Sequence, residues 1–291
     1  MPKITNQTTK TAPCKLVMNR EPSSGKNWAI SQLVYGSVLE DLDKFFAHLN
    51  IHYLPIKGAH LICSGLSRNL TTRSMTDIDL LVREADYQKC IEFFSDHDSF
   101  TKHQPDPWRF EQAFTYDHNG IAVKLEIHHQ LNRPERFHLP TEELFSRAEF
   151  QTEVRMLSGN EDALLILICH SLVHIAERFK KSTFEEIETL INQNRFCWST
   201  FQQLLKRSGI EPFGNALLKR YARERNTKLP VELRSFFWAQ FLVNRLSHKR
   251  YTGIRRNLRQ LLVECSLVRN PCALAFRCFE DKFRKLISRQ K

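Results

Sequence analysis

Two aspartates on one predicted strand have the type and spacing of metal ligands. Asp77 and Asp79 alternate with apolar residues at 78, 80 and 82, so the two carboxylates share one strand face. Two carboxylates about 4 Å apart repel by about 4 kcal/mol at an effective dielectric constant near 20. A divalent cation removes this repulsion, and oxygen ligands favour Mg²⁺ or Mn²⁺. The alternative is that both aspartates simply begin a strand in solvent.

A second predicted strand carries polar residues with the same alternation. Lys124, Glu126 and His128 share one face, and the apolar residues at 123, 125 and 127 share the other. If this strand lies beside the strand of Asp77 and Asp79, Glu126 becomes a third carboxylate of one site. Three converging acids can hold two metals about 3.5–4 Å apart, which activates an attacking oxygen and stabilises the leaving one.

Two further features, which precede Asp77 in the chain, are suited to binding a phosphate group. Lys57-Gly58 follows a predicted strand and precedes a predicted helix. A glycine there lets backbone N–H groups approach a phosphate, whose charge a helix N-terminus also favours. Arg73 lies four residues before Asp77, where its guanidinium is placed to reach a triphosphate. The alternatives are an ordinary turn glycine and a surface arginine.

The predicted elements that position these residues are mixed in the first half of the chain. Helices are predicted at 28–49, at 59–67 and from Asp86, and strands at 53–56, 78–82, 109–117 and 121–129. Asn119-Gly120 predicts a tight hairpin between the last two strands, since both residues tolerate positive φ.

Beyond about residue 150 only helices are predicted. They lie near 160–179, 184–193, 198–208, 213–226, 231–248, 254–268 and 272–288. This change in pattern predicts an α+β domain over 27–150 and a helical domain over 151–291. Three prolines and the Ser23-Ser24-Gly25 break predict a flexible tail over 1–26.

The net charge of +11 is unevenly distributed. Residues 195–291 carry 22 Lys and Arg against 6 Asp and Glu, a net of +16, whereas residues 1–194 have a net charge of −5. A basic half attracts polyanions such as RNA, DNA, nucleotides or acidic membranes. The alternative is a solvated basic helical surface.

Composition excludes several protein classes. With 42% hydrophobic and 26% charged residues, the chain suits a packed protein rather than a disordered one. Apolar runs of about 18 residues are absent, so no membrane span is predicted. The first 26 residues lack the apolar core of a secretory signal, and the eight cysteines form no CxxC pair. We therefore expect a cytoplasmic protein with reduced cysteines and no zinc site.

Three segments together resemble the nucleotidyltransferase superfamily typified by DNA polymerase beta. They are residues 55–59 with the Lys-Gly turn, residues 73–82 with the Asp-x-Asp strand, and residues 125–128 with the third acid. Within the superfamily they are most similar to a bacterial group of mostly uncharacterised nucleotidyltransferases. The resemblance covers about residues 27–195.

This resemblance implies the fold and the residues of the site. The implied fold is α+β, a polymerase-beta-like domain with a mixed sheet and flanking helices, followed by an all-helical domain. The implied catalytic residues and metal ligands are Asp77, Asp79 and Glu126, the last being Glu where the group usually has Asp. The candidate nucleotide-binding residues are Lys57, Gly58, Arg73, Ser74, Lys124 and His128.

The implied reaction moves a nucleoside monophosphate from an NTP to an acceptor hydroxyl and releases pyrophosphate, with Mg²⁺ or Mn²⁺ as cofactor. A nucleic acid, a protein, a sugar and a small molecule all remain open as acceptors. For a nucleic acid, Arg255, Arg256 and Arg259 are candidate phosphate contacts. The alternative function is a catalytically silent scaffold whose basic helical half binds RNA or an acidic partner.

Overall fold

The computed structural model describes residues 16–17, 25–70, 75–104, 110–131, 137–173 and 181–246. Two of the candidate nucleotide-binding residues, Arg73 and Ser74, lie outside these residues, as do the helices predicted at 254–268 and 272–288 and the three arginines proposed as phosphate contacts.

A mixed sheet is the centre of the first half of the chain. Its strands are β1 Leu16–Val17, β2 Tyr53–Ile56, β3 Asp77–Val82, β4 Phe100–Lys102, β5 Glu111–His118 and β6 Ile121–His128. The order is β2-β3-β6-β5-β4, in which β3 and β6 are parallel and the other neighbours are antiparallel. The short β1 pairs in parallel with the beginning of β6.

Helices flank this sheet and make up most of the chain that follows. They are α1 Gly25–Leu49, α2 Lys57–Cys63, α3 Glu84–Asp96, α4 Thr141–Arg147, α5 Asn160–Val173, α6 Lys181–Ile191, α7 Trp198–Arg207, α8 Glu211–Glu224 and α9 Phe237–Leu246. A 3-10 helix spans Leu66–Asn69, and a small hairpin is formed by β7 Glu149–Phe150 and β8 Met156–Leu157. The predicted fold class, a mixed sheet with flanking helices followed by further helices, is confirmed. Within the described ranges, no helix has the length and apolar character needed to cross a bilayer.

The β5–β6 hairpin turns at the predicted pair of residues. Asn119 has φ 53° and Gly120 has φ 83°, the left-handed conformation that a two-residue hairpin turn requires. Asp117 Oδ1 accepts a hydrogen bond of 2.8 Å from the Gly120 N–H and stabilises the turn. This turn fixes the register of the hairpin, so Glu111 lies opposite His128 and Ala113 opposite Glu126.

The strands of the site bury one face in the main hydrophobic core. Ile78 and Leu80 of β3 and Leu125 of β6 belong to the same buried cluster as Leu42 of α1 and Phe94 of α3. The other face of β3 carries both aspartates, and farther along the strand Leu81 joins a smaller apolar cluster with Phe145 of α4. The period-two alternation thus separates the acids from the main core, as the sequence predicts.

The main hydrophobic cluster continues across residue 150. It includes Leu42 and Leu80 from the first part of the chain, and Leu164, Phe201 and Leu217 from α5, α7 and α8. The predicted boundary therefore separates two kinds of secondary structure that share buried contacts. The division into domains at this position stays a prediction.

Some strands lie where the sequence predicts none. Leu16–Val17 forms a short strand inside the segment predicted to be a flexible tail, and Gly25 already begins α1; the flexible tail itself stays a prediction. The reason is non-local: β3 pairs only with residues 124–128 of β6, which leaves Ile121 and Ala122 with backbone groups available to β1. The three-residue β4 and the β7–β8 hairpin are likewise too short to produce a sequence pattern.

His60 of α2 is buried without a full set of hydrogen bonds. Its Nδ1 lies 3.4 Å from Ser158 Oγ, and its Nε2 has no hydrogen-bond partner among the described residues. Burial disfavours the charged imidazolium and lowers the pKa of His60 from 6.5 to about 4. The folded protein therefore contains this imidazole in its neutral form at mildly acidic pH.

We expect His60 to make the protein less stable as the pH falls from about 6.5 towards 4. Over this range the unfolded chain binds a proton that the folded chain does not, so lower pH favours unfolding. Between pH 7 and pH 5, wild type should lose ~2 kcal/mol more unfolding free energy than the His60→Gln variant. Urea titrations at both pH values measure this, with His48→Gln on the exposed end of α1 as the control. Equal pH dependence in wild type and His60→Gln contradicts the assignment.

Candidate active site

The polar faces of β3 and β6 lie side by side. In the parallel register, Asp77 is opposite Lys124 and Asp79 is opposite Glu126. The sequence left open whether these two strands are neighbours, and the sheet order shows that they are. The two predicted polar faces thus form one surface that contains all three carboxylates.

Asp79 is the most buried acid of this surface, with a side chain that is only 4% exposed. Lys57 Nζ donates a 2.6 Å hydrogen bond to Asp79 Oδ1, and His128 Nε2 lies 3.0 Å from the same oxygen. Burial opposes ionisation of Asp79, but the charge of Lys57 and the hydrogen bond from His128 outweigh it and hold the pKa of the carboxyl well below its usual range. Asp79 is therefore a fixed negative charge.

Glu126 is held by the neighbours on its own strand. Lys124 Nζ forms an ion pair with Glu126 Oε1, and Glu126 Oε2 lies 3.7 Å from His128 Nε2. Burial alone would lower the pKa of Lys124, but the hydrogen bond and charge of Glu126 raise it above the ordinary value. The Lys124 side chain remains 42% exposed, so this cation faces the open side of the surface.

The pKa of Asp77 is shifted upwards, in the opposite direction to that of Asp79. Burial raises the pKa of Asp77, and the negative charges of Asp79 and Glu126 raise it further, against the opposing effect of Lys57 and Lys124. Thr76 Oγ1 donates a 3.3 Å hydrogen bond to Asp77 Oδ1. At Asp77, the negative charge of the neighbouring carboxylates thus outweighs the positive charge of Lys57 and Lys124. Such an environment favours the binding of an additional cation.

Three side chains offer ligand atoms for a metal ion. Atoms of Asp79, Glu126 and His128 lie within 4.8 Å of one another. Carboxylate oxygens and an imidazole nitrogen are ligands that divalent cations accept, so the donor set fits such an ion. This group differs from the predicted one, because His128 joins it and Asp77 lies beside it on the same face.

Lys57 reaches the acids from an uncommon backbone conformation. Its φ is 53°, in the left-handed region that non-glycine residues seldom occupy. It is the first residue of α2, directly after β2, whose Ile56 pairs with Asp79. Gly58 follows it and is buried in the first turn of the helix. The proposed approach of Gly58 to a triphosphate stays a prediction.

Glu111 is a site residue that the sequence analysis missed. Its Oε2 lies 3.2 Å from His128 Nδ1, on the side of the ring away from Asp79. This carboxylate places a negative charge beside the imidazole ring. Counting residue pairs back from the Asn119-Gly120 turn places Glu111 opposite His128, so the predicted hairpin contained the signal needed to find it.

The structure thus brings together six of the predicted site residues, namely Lys57, Asp77, Asp79, Lys124, Glu126 and His128. No curated protein matches the chain. A family model described as uncharacterised nucleotidyltransferase matches residues 26–224, which include all of these side chains. A divalent metal is implied for such a family, and its identity is not given by the match. With more than half of its length matched by that model, and with clustered acids on β3 and β6, the chain belongs to a family of uncharacterised nucleotidyltransferases.

Proposed function

We propose that the protein transfers a nucleoside monophosphate from an NTP to an acceptor hydroxyl and releases pyrophosphate. The observation that carries this proposal is the register that sets Asp79 beside Glu126 on neighbouring parallel strands, with Asp77 on the same face. Converging carboxylates are the groups that two-metal phosphoryl chemistry requires. Membership of a nucleotidyltransferase family supports the same reaction.

We assign the three acids to metal binding. Mg²⁺ held by Asp77, Asp79 and Glu126 would neutralise charge on the triphosphate and lower the pKa of the acceptor hydroxyl. Asp79 suits this role because Lys57 and His128 keep its carboxyl ionised. Glu111 and His128 act indirectly in this proposal, since Glu111 orients the imidazole that contacts both Asp79 and Glu126.

The cations beside the acids are assigned to the triphosphate. Lys124 is partly exposed, and its ammonium lies next to the carboxylates, so it is placed to contact phosphate oxygens. Lys57 lies on the other side of Asp79, at the start of α2. The remaining proposed contacts of the nucleotide are the backbone of Gly58 and the side chains of Arg73 and Ser74.

A screen with the full chain tests this function. The four NTPs, labelled at the α-phosphate, are each incubated with Mg²⁺ and with total RNA, protein or metabolite fractions. We expect pyrophosphate release together with transfer of label into one fraction, and both should be slower by about 10²-fold or more with Asp79→Asn. If wild type releases no pyrophosphate from any NTP in the presence of these fractions, the proposal is wrong, and the alternative of a silent nucleotidyltransferase-like scaffold is favoured.

A further inference from the structure

One oxygen of Asp79 is shared by two nitrogen atoms. Asp79 Oδ1 lies 2.6 Å from Lys57 Nζ and 3.0 Å from His128 Nε2. Asp79 and His128 have side chains that are each 4% exposed, and that of Lys57 is 16% exposed. These contacts form a closely packed arrangement in which the ammonium of Lys57 supplies the positive charge nearest to Asp79.

Lys57 and a divalent cation compete for the same position. Bonds between divalent cations and carboxylate oxygens are about 2.0–2.6 Å long. The distance of 2.6 Å between the ammonium and Asp79 Oδ1 is similar. Two positive charges this close together repel strongly. Lys57 must therefore leave Asp79 Oδ1 before that oxygen can coordinate a cation.

An ammonium that leaves Asp79 needs another anion. Burial opposes the charge of Lys57, which is maintained by Asp79 and by the weaker attraction of Glu126 and Asp77. The triphosphate of a bound nucleotide supplies a replacement within the same surface, because phosphate oxygens accept charge-assisted hydrogen bonds as carboxylates do.

Resting on the function proposed above, we propose that Lys57 couples cation binding to nucleotide binding. Without nucleotide, Lys57 pairs with Asp79 and weakens the binding of a divalent cation there. With nucleotide, Lys57 exchanges Asp79 for a phosphate group and leaves the carboxylate available. The backbone conformation of Lys57, with φ 53° at the junction of β2 and α2, directs its side chain to this position.

The test is a pair of titrations on wild type and the Lys57→Gln variant, with full-length protein. The first measures binding of Mn²⁺ alone by electron paramagnetic resonance of the free ion. We expect Lys57→Gln to bind Mn²⁺ about tenfold more tightly, because Asp79 no longer holds an ammonium. The second measures binding of inorganic triphosphate at saturating Mn²⁺ by calorimetry. In this titration the variant should bind about tenfold more weakly, because a phosphate partner is missing.

The opposite directions of these two effects separate coupling from mere support of Asp79, since loss of support weakens both affinities. Lys44→Gln is the matched control: it removes the same charge from an ion pair, with Asp41 at 2.9 Å, outside the site. It should change neither affinity. Lys57→Arg retains a cation and should bind Mn²⁺ alone no more tightly than wild type does. Adding Asp79→Asn to Lys57→Gln should abolish the gain.

Mn²⁺ binding to Lys57→Gln that is no tighter than to wild type overturns the inference, as does an equal gain in Lys44→Gln. Circular dichroism establishes that each variant folds. If Lys57→Gln does not fold, the ¹⁵Nζ resonance of Lys57 in wild type decides. It should shift with Mg²⁺ and triphosphate together but not with Mg²⁺ alone, and an equal shift under both conditions overturns the proposal. None of these measurements requires turnover, so a failure of the proposed reaction is recognised separately by the absence of pyrophosphate release.

Discussion

Asp79→Asn is expected to weaken binding of Mg²⁺–NTP and to lower the rate of pyrophosphate release by about 10²-fold or more. The substitution keeps the size of a side chain that is almost fully buried and removes the charge that Lys57 and His128 both contact. The ammonium of Lys57 would then face a neutral amide. A divalent cation would lose its most buried carboxylate ligand, and the triphosphate would lose the cation that this carboxylate holds in the proposed site. The measurement is steady-state pyrophosphate release as a function of NTP and Mg²⁺ concentration.

Asp96→Asn is the control for this substitution. Asp96 ends α3 on the exposed surface, and the same chemical change there should leave turnover as in wild type. Thermal unfolding of both variants establishes that a loss of activity does not come from a loss of fold. Near-wild-type turnover in Asp79→Asn would remove this residue from the reaction and, with it, the proposed role of the β3 acids.

The strands of the site could be predicted because their signals are local. Apolar and polar residues alternate over residues 77–80 of β3 and 123–128 of β6, and Asn119-Gly120 specifies the turn between β5 and β6. These patterns are sufficient to place Asp77 and Asp79 on one face and Glu126 and His128 on another. They do not show that the two faces adjoin, because strand order depends on packing between segments far apart in the chain.

Lys57 illustrates what the local pattern leaves out. The sequence identifies it as part of a strand-to-helix turn, but its direct contact with Asp79 spans 22 residues of chain and depends on the antiparallel pairing of Ile56 with Asp79. The positive φ of Lys57 cannot be predicted from the sequence either, since lysine has no preference for that conformation. The sequence assigns Lys57 to the phosphates, whereas the structure gives it a second partner, Asp79. The inferred coupling is based on this contact.

His128 shows the same limit in a different way. Alternation predicts the face on which its ring lies, but not that one ring nitrogen lies near Asp79 and the other near Glu111, on two different strands. The ring of His128 consequently lies beside Asp79 and Glu126 as a candidate metal ligand. The sequence, in contrast, assigns His128 to nucleotide binding. Only the three-dimensional register brings these side chains together.

Glu126→Gln is expected to separate binding from turnover. We assign Glu126 to the metal that would activate the acceptor hydroxyl, so its charge contributes mainly in the transition state, while Asp77 and Asp79 still bind the Mg²⁺–NTP complex. The variant should therefore bind NTP with nearly wild-type affinity and release pyrophosphate at least about 10²-fold more slowly. The structure meets the geometric condition for this role, because the ligand atoms of Glu126 and Asp79 lie within 4.8 Å.

Calorimetry with NTP and Mg²⁺ measures the affinity of Glu126→Gln, and single-turnover pyrophosphate release measures its chemical step. Because Glu126 pairs with Lys124, the Lys124→Gln variant shows what loss of that ion pair does by itself. We expect Lys124→Gln to weaken NTP binding, since it removes a cation from the phosphate side, whereas Glu126→Gln should not. Equal losses of affinity and of rate in Glu126→Gln would instead place this carboxylate in substrate binding, and the acceptor hydroxyl would then have to be activated by the two acids of β3.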